Sequence, residues 1–283
     1  MKKAYVTVKA LEQRLQKKTG ITEELMIENA AASLEAALQE SGLEAGADVL
    51  IACGSGNNGA DGYALARRLS GRMRVRVLEV FPAKSDACRF EKKTACAAGA
   101  DLLSRGSFIK NLPSCDAAVD CIYGTGFHGV LDEDTAKLIY ALNAAGCFRL
   151  ACDIPRGIDV RGAVLTMHKG KELAFAADVT VTMGAYKTAL FTDAAKDFCG
   201  KIVRADIGVG AALFEDESCD AYILEPDDMR LPVRVKKSVH KGTFGHAAVA
   251  AGEKEGAAVI AGSAALAFGA GLVTLTDTVD NRR

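Results

Sequence analysis

The sequence predicts an α/β protein built on a parallel sheet with helices on both faces, a three-layer arrangement, plus a short C-terminal β-α-β fragment. Three observations support this prediction. Short, nearly continuous apolar runs recur along the chain, as in strands that are buried on both faces. Segments of helical character separate these runs, as in βαβ units. The stretch CGSGNNGADGYALARRL (53–69) places a glycine-rich loop between one apolar run and a helix.

The predicted elements begin with two helices. The first covers residues 8–18 and ends at Gly20. The second starts after Thr22, an N-cap residue followed by two glutamates that suit the positive end of the helix dipole. The remaining elements follow in order: strand 48–53, helix 62–69, strand 75–81, helix 86–99, a weaker strand 101–104, strand 117–123, helix 132–146, and strands 148–154, 178–183 and 202–208.

The length of 283 residues fits one large domain or two modest ones. Residues 221–238 contain two prolines and many charges, and we interpret them as a linker between a first domain (1–220) and an incomplete second domain (239–283). The uncharged stretch 256–276 is long enough to span a bilayer. Its many alanines and glycines favour a buried helix that ends at a glycine and leads into strand 272–276.

Composition excludes several functional classes. Lys plus Arg (35) nearly balance Asp plus Glu (36), so no polybasic field would recruit nucleic acid or a membrane surface. The nine cysteines include no C-x-x-C pair, which indicates reduced thiols and a cytoplasmic protein. The N-terminal apolar patch is too short for a signal peptide.

Three unusual loops follow predicted strands, at residues 54–61 (GSGNNGAD), 124–129 (GTGFHG) and 153–159 (DIPRGID). The first two match G-x-G-x-x-G, the fingerprint of Rossmann-like dinucleotide-binding sheets. The first fingerprint alone, together with Glu79 as the acidic residue that would bind the ribose, predicts a site for NAD as a cofactor. The alternative is a single pocket beyond the carboxyl ends of the strands. There, glycine amides of all three loops bind phosphate, and carboxylates and amides face the reacting group.

The motifs GSGNNGADGYALARRL, VDCIYGTGFHGVL, DIPRGID, GAYKTAL and KIVRADIGV, in this order, resemble the NAD(P)H-hydrate epimerase domain. ELMIENAA resembles the N-terminal helix of that family, and the resemblance covers about residues 1–220. Beyond the linker, HKGTFGHAAVAAG and AALAFGAGLVTL resemble the start of the ribokinase-like NAD(P)H-hydrate dehydratase, which in many bacteria is fused behind the epimerase.

The resemblance implies interconversion of the R and S forms of hydrated NADH and NADPH (NADHX and NADPHX). NAD(P)HX is then the substrate and not a cofactor, and a homodimer is possible. Dehydratase activity is not expected, because the chain carries only the start of that domain. The implied potassium ligands are Asn58 and Asp120. The implied substrate contacts are Asn57, Asn58, Gly59, Ala60, Asp61, Gly124, Thr125, Gly126, Phe127, His128, Gly129, Val130 and Asp153.

The reacting carbon bears a hydroxyl group beside the ring nitrogen, so it can lose the hydroxyl to an iminium-like cation and take water back on the other face. Asp153 is the candidate acid/base, with a structural cap on its turn as the alternative. Asp61 has a simpler explanation as a helix N-cap. Lys187 is either a phosphate ligand or an exposed lysine without a role. His128 is expected to contribute backbone contacts.

Two positions depart from the family's pattern. Ala60 replaces a glycine, which matters only if its φ is positive. Arg156 replaces the serine that is the third side-chain potassium ligand. We expect its guanidinium to pair with Asp120, to donate to the amide oxygen of Asn58 and so to substitute for the ion. The alternative is that it turns out to solvent.

Two other functions remain open. Arg156 and Ala60 favour a non-catalytic nucleotide-binding or dimerisation module of the same fold. Asn58, Asp120 and Asp153 favour the enzyme. An ordinary NAD dehydrogenase ranks last, because this chain carries no second catalytic domain of the kind that such an enzyme needs.

Overall fold

The computed structural model describes residues 1–104, 113–210, 213–214, 217–230, 235–252 and 255–277. The chain divides into two compact units, residues 1–223 and 224–283. The helices of the first unit are α1 (Lys9–Thr19), α2 (Glu23–Glu40), α3 (Asn57–Leu69), α4 (Asp86–Ala97), α5 (Glu133–Ala144) and α6 (Lys196–Cys199). Its strands are β1 (Lys2–Tyr5), β2 (Asp48–Cys53), β3 (Arg74–Glu79), β4 (Asp101–Ser104), β5 (Ala117–Cys121), β6 (Phe148–Cys152), β7 (Met167–His168), β8 (Lys171–Glu172), β9 (Val179–Met183), β10 (Tyr186–Lys187), β11 (Lys201–Ala205) and β12 (Ala221–Ile223).

A seven-stranded parallel sheet in the order β11-β9-β6-β5-β2-β3-β4 forms the centre of the first unit. The predicted α/β fold with a Rossmann-like parallel sheet is confirmed. Strands β2, β3 and β4 follow one another towards one edge of the sheet. Strands β5, β6, β9 and β11 follow one another towards the other edge. The strand order therefore reverses between β2 and β5, where open α/β sheets bind their ligands.

Alternating residues of the central strands supply two separate cores. Val49, Ile51 and Cys53 of β2 pack with apolar residues of α2 and α3 on one face. Leu50 and Ala52 of the same strand pack with α5 on the other face. This period of two explains the nearly continuous apolar strands, because neither face of the sheet meets water.

The capping residues predicted near the N-terminus are confirmed, and α1 covers Lys9–Thr19 where residues 8–18 were predicted. Helix α1 ends at Gly20, which adopts a left-handed φ of 74° and donates its N–H to the carbonyl of Gln16. Thr22 caps α2 by accepting the N–H of Leu25. The weaker strand is also present, as the edge strand β4.

A second, three-stranded sheet, in the order β10-β1-β12, was not predicted. Strand β1 pairs in parallel with β10 and antiparallel with β12. The predicted linker therefore begins too early, because residues 221–223 belong to the first unit. Strands of two to four residues pair too briefly to leave a periodic pattern in the sequence.

The second unit contains strands β13 (His246–Ala251) and β14 (Leu272–Asp277), which pair in parallel and are joined by helix α7 (Glu255–Phe268). Helix α7 ends before Gly269, which has a φ of 119°, as predicted. The prediction that this helix is buried is wrong, since Val259, Ile260, Leu266 and Phe268 are exposed. A sheet of two strands covers only one side of a helix. Among the described residues, no helix is both long and apolar enough to cross a bilayer.

Candidate active site

The three glycine-containing loops meet at one edge of the main sheet, because β6, β5 and β2 are neighbours. The N–H of Gly54 donates to the carbonyl of Cys121 at 3.0 Å. The hydroxyl groups of Ser55 and Tyr123 lie 3.2 Å apart and join the first loop to the second. The backbone N–H of Arg156 donates to Asp120, which joins the third loop to β5.

Glycine is required where the first loop turns into α3. A Cβ atom at Gly54 would lie 1.6 Å from the carbonyl oxygen of Ile122. One at Gly59 would lie 2.1 Å from the carbonyl oxygen of Gly54. No side chain fits at either distance, so the fingerprint here reflects close packing of backbone on backbone.

The asparagines of the first loop occupy the first turn of α3, at the positive end of the helix dipole. Asn57 is exposed and donates to Glu23 at 2.6 Å. The side-chain nitrogen of Asn58 is buried and has no hydrogen-bond partner within the described part of the chain. A buried amide without a partner indicates a group that a ligand can satisfy. Ala60 is buried inside the helix, where no positive φ is needed, so the family's glycine is dispensable at this position.

Asp61 is the fifth residue of α3 and not its N-cap, so the capping interpretation is wrong. Gly56 occupies the cap position instead. The Asp61 side chain is buried, and the thiol of Cys152 donates to its Oδ2 at 3.7 Å. Burial raises the pKa of Asp61 well above its usual value, and the negative charge of Asp153 raises it further.

Asp153 follows β6 directly and adopts a left-handed φ of 70°, a conformation that Asp tolerates better than most residues. Its Oδ1 accepts the backbone N–H of Met183 at 3.2 Å and the hydroxyl of Thr182 at 3.3 Å. The ammonium of Lys187 lies 2.6 Å from the same oxygen. Lys187 is only 1% exposed, so the expectation of an exposed lysine is wrong.

Asp61 and Asp153 therefore meet opposite electrostatic environments. The lysine compensates the charge of Asp153, whereas burial favours the neutral form of Asp61. A carboxylate held in an ion pair, beside a carboxyl group whose neutral form burial favours, suits one base and one acid. Glu12 of α1 belongs to the same group, since burial raises its pKa and the charge of Lys187 opposes that rise. Sequence reasoning missed Glu12 because it lies outside every motif.

The second loop presents both buried and exposed residues. Phe127 is buried and Thr125 is half-buried, whereas His128 and Val130 are exposed. Gly129 adopts a φ of 84°, which requires glycine. The loop also approaches the third loop closely, because a Cβ atom at position 124 would lie 2.4 Å from Oδ2 of Asp153.

Asp120 is completely buried at the end of β5. Its Oδ1 accepts the N–H of Ile122 at 3.1 Å, and its Oδ2 accepts the N–H of Arg156 at 2.6 Å. Burial raises the pKa of Asp120 to about 6, although both N–H groups and the charge of Arg156 oppose the rise.

The side chain of Arg156 makes neither of the expected contacts. Its guanidinium carbon lies 3.9 Å from the ring centroid of Phe127 and 4.7 Å from that of Tyr123. Within the described residues it forms no ion pair with Asp120, so the predicted pairing is wrong. It does not turn to solvent either, since Arg156 is only 5% exposed. The backbone N–H already occupies Asp120 Oδ2, and the two aromatic faces attract the cation.

The residues present do not fit a potassium ion of the kind implied by the resemblance. Asn58 and Asp120 offer oxygen atoms, and each Asp120 oxygen keeps a lone pair beside the backbone N–H that it accepts. The third side-chain ligand is missing, because the guanidinium of Arg156 has no acceptor atom. Among the described residues, no group of three His, Cys, Asp or Glu side chains is placed to hold a metal ion.

Two other features bear on where a ligand binds. Glu79 forms an ion pair with Lys92. If NAD were a cofactor, the same Glu79 carboxylate would bind the ribose. A cavity of about 590 Å³ lies beside β1, β10 and β11, and none of the predicted site residues lines it. The three-loop edge remains the better candidate, because it combines the topological switch point with buried, interacting carboxyl groups.

Comparison with known proteins places this arrangement in a family. The family described as YjeF-related protein N-terminus matches residues 22–189, more than half of the sequence. The chain belongs to the YjeF-related N-terminal family. The match includes all three loops, Asp120, Asp153 and Lys187.

Two relatives of this chain carry names that state a function. The "Bifunctional NAD(P)H-hydrate repair enzyme Nnr" of Helicobacter pylori is 41% identical over 278 residues, which cover 97% of this chain and 57% of that protein. The "NAD(P)H-hydrate epimerase" of Rhodopirellula baltica is 34% identical over 200 residues, covering 69% of this chain and 79% of that protein. The chain thus spans little more than half the length of the bifunctional relative.

A solved structure supports the fold of the YjeF-related N-terminal domain. The crystal structure of the yeast protein ynu0 (YNL200c) matches with a TM-score of 0.59 and 19% sequence identity. The match covers 72% of this chain and 87% of the yeast chain. At this identity the similarity concerns the fold alone.

Proposed function

We propose that this chain is an NAD(P)H-hydrate epimerase, which interconverts the R and S forms of NADHX and NADPHX. The observation that carries the proposal is the buried Asp153–Lys187 pair beside Gly124, where the three loops meet. The names of the Helicobacter pylori and Rhodopirellula baltica relatives support the same reaction. The nicotinamide nucleotide is then the substrate and not a cofactor.

The environments of the two carboxyl groups support a division of labour. The acid role predicted for Asp153 passes to Asp61 in this proposal. Burial raises the pKa of Asp61, which donates a proton to the C6 hydroxyl group, and that group leaves as water. The carboxylate of Asp153 faces the resulting iminium-like cation and stabilises its charge. Water adds to the opposite face and releases a proton, which returns to Asp61. One proton and one water leave and return, so no net change occurs except at C6.

The same proposal assigns the other predicted residues. The N–H groups at the start of α3 and along residues 124–130 bind the nucleotide phosphates, and Asn58 donates its unpartnered amide to the substrate. Lys187 positions Asp153 and does not bind phosphate, because Asp153 and the carbonyl of Met183 already occupy its ammonium. Potassium is dispensable, so replacing it with sodium or choline should leave activity unchanged.

The organisation of the chain follows from the proposal. We assign the epimerase domain to residues 1–220 together with strand β12, and residues 239–283 correspond to the start of a dehydratase domain. The proposed activity resides in the first unit, since the second contains one β-α-β element. The nine free cysteines support a location in the reducing cytoplasm.

The test is incubation of the purified chain with one hydrate epimer, followed by chromatographic separation of the two forms. We expect conversion towards the equilibrium mixture, and Asp153→Asn should abolish it. A chain that binds the nucleotide without converting it would instead be a non-catalytic nucleotide-binding module, the alternative that Arg156 favours.

A further inference from the structure

The guanidinium of Arg156 is a buried cation with unused hydrogen-bond donors. Arg156 is 5% exposed, and its Nε and Nη1 atoms are buried without hydrogen-bond partners within the described part of the chain. Its contacts are the rings of Phe127 and Tyr123, which attract the charge but accept no strong hydrogen bond. A buried donor without a partner calls for an explanation.

The carboxylate of Asp120 does not explain it. Asp120 accepts the backbone N–H of Arg156, and among the described ion pairs none joins its oxygens to the guanidinium. The side chain instead extends to the second glycine loop, where its guanidinium lies against the ring of Phe127.

The loop has the glycine-rich sequence of anion-binding loops. Residues 124–130 contain three glycines and carry Phe127, whose ring covers the guanidinium. Successive backbone N–H groups of such loops bind phosphate oxygens. A guanidinium supplies two parallel donors that match two oxygens of one phosphate. An anion that enters here meets both kinds of donor.

We propose that Arg156 is a substrate-binding residue whose guanidinium binds a phosphate group of the dinucleotide together with residues 124–130. The inference rests on the proposed function, because the dinucleotide is the substrate named there. Arg156 thus supplies a fixed positive charge at the third loop and binds the anion directly.

The test uses ADP-ribose, which keeps the diphosphate but lacks the nicotinamide ring and cannot be epimerised. Calorimetric titration of the full chain compares wild type with two variants. Arg156→Gln removes the charge, and Arg156→Lys keeps the charge but loses the two parallel donors of the guanidinium. Arg149→Gln is the matched control, because Arg149 lies at the opposite end of β6 and pairs with Asp178.

We expect Arg156→Gln to weaken ADP-ribose binding at least tenfold, Arg156→Lys to weaken it less, and Arg149→Gln to change it less than twofold. Titrations with inorganic pyrophosphate and with adenosine identify the source of the binding. Pyrophosphate should show the same dependence on Arg156, and adenosine should show none. Equal ADP-ribose affinity in wild type and Arg156→Gln overturns the proposal, as does a wild type that binds neither phosphate compound.

A measurement on the wild type covers the case in which a variant fails to fold. The ¹⁵N-coupled Nε–H resonance of Arg156 should shift when ADP-ribose saturates the protein, and an unchanged resonance overturns the proposal. Failure of the proposed function has a different signature. If no hydrate epimer is converted while ADP-ribose binding still depends on Arg156, the epimerase proposal falls and the anion site stands.

Discussion

Gly124 and Asp153 offer a way to displace the proposed catalytic group without removing it. In Gly124→Ala, the new Cβ atom would lie 2.4 Å from Oδ2 of Asp153 and 3.1 Å from its Cβ atom. Ordinary contacts begin near 3.4 Å, so the carboxylate must move by about 1 Å. That movement separates it from Lys187 and from the bound substrate. Misplacement of a catalytic group by about 1 Å lowers turnover by about a hundredfold.

The assay for this variant is kcat with one hydrate epimer, measured beside the urea-induced unfolding transition. We expect about a hundredfold loss of kcat and a decrease of only about 1 kcal/mol in the free energy of unfolding, because a side chain and not backbone gives way. Gly146→Ala is the matched control. It lies outside the three loops, has no positive φ and has open space around the new methyl group. Wild-type kcat in Gly124→Ala would refute the role of Asp153.

Three further predictions concern stability and titration. Lys187→Met leaves Asp153 without its cationic partner and should lower the free energy of unfolding by about 3–5 kcal/mol in urea, with partial recovery when Asp153→Asn is added. Gly62→Ala should cost about 1–3 kcal/mol by the same measurement, because its methyl group would lie 2.7 Å from the side chains of Cys53 and Cys121. Arg156→Gln removes a charge that lowers the pKa of Asp120, so carbon-13 NMR titration should show that pKa above its wild-type value of about 6.

The raised pKa of Asp120 makes its contribution to the stability of the fold depend on pH. Its pKa of about 6 in the folded protein exceeds the value of about 4 for an exposed aspartate. The folded state therefore binds the proton more tightly, and this contribution to stability is present below about pH 4 and lost as the pH rises through about 6. In Arg156→Gln the loss should move to higher pH.

The main sheet could be predicted from the sequence because both of its faces are buried. Each central strand is then a nearly continuous apolar run, and glycines or caps mark the ends of the helices, as at Gly20 and Thr22. The sheet formed by β1, β10 and β12 could not be predicted. Its strands have two to four residues and pair segments that are far apart in sequence, such as Ala4 with Ala221.

The site shows a similar division. The edge where the loops meet follows from strand order, and the motifs name Asp120 and Asp153. The states of individual side chains do not follow. Lys187 is buried in a short strand that pairs with the distant β1, and the side chain of Arg156 lies against the aromatic rings while its backbone N–H binds Asp120. Both outcomes depend on three-dimensional neighbours that no local pattern reports.

Conversion of a single hydrate epimer is the most direct measurement of the central claim. Purified R-NADHX is incubated with the chain in a potassium-free buffer, and the appearance of the S form is followed by chromatography against a protein-free control. The epimerase proposal predicts conversion well above the spontaneous rate in wild type and its loss in Asp153→Asn. Spontaneous rates in the wild-type incubation, both with and without potassium, would contradict it.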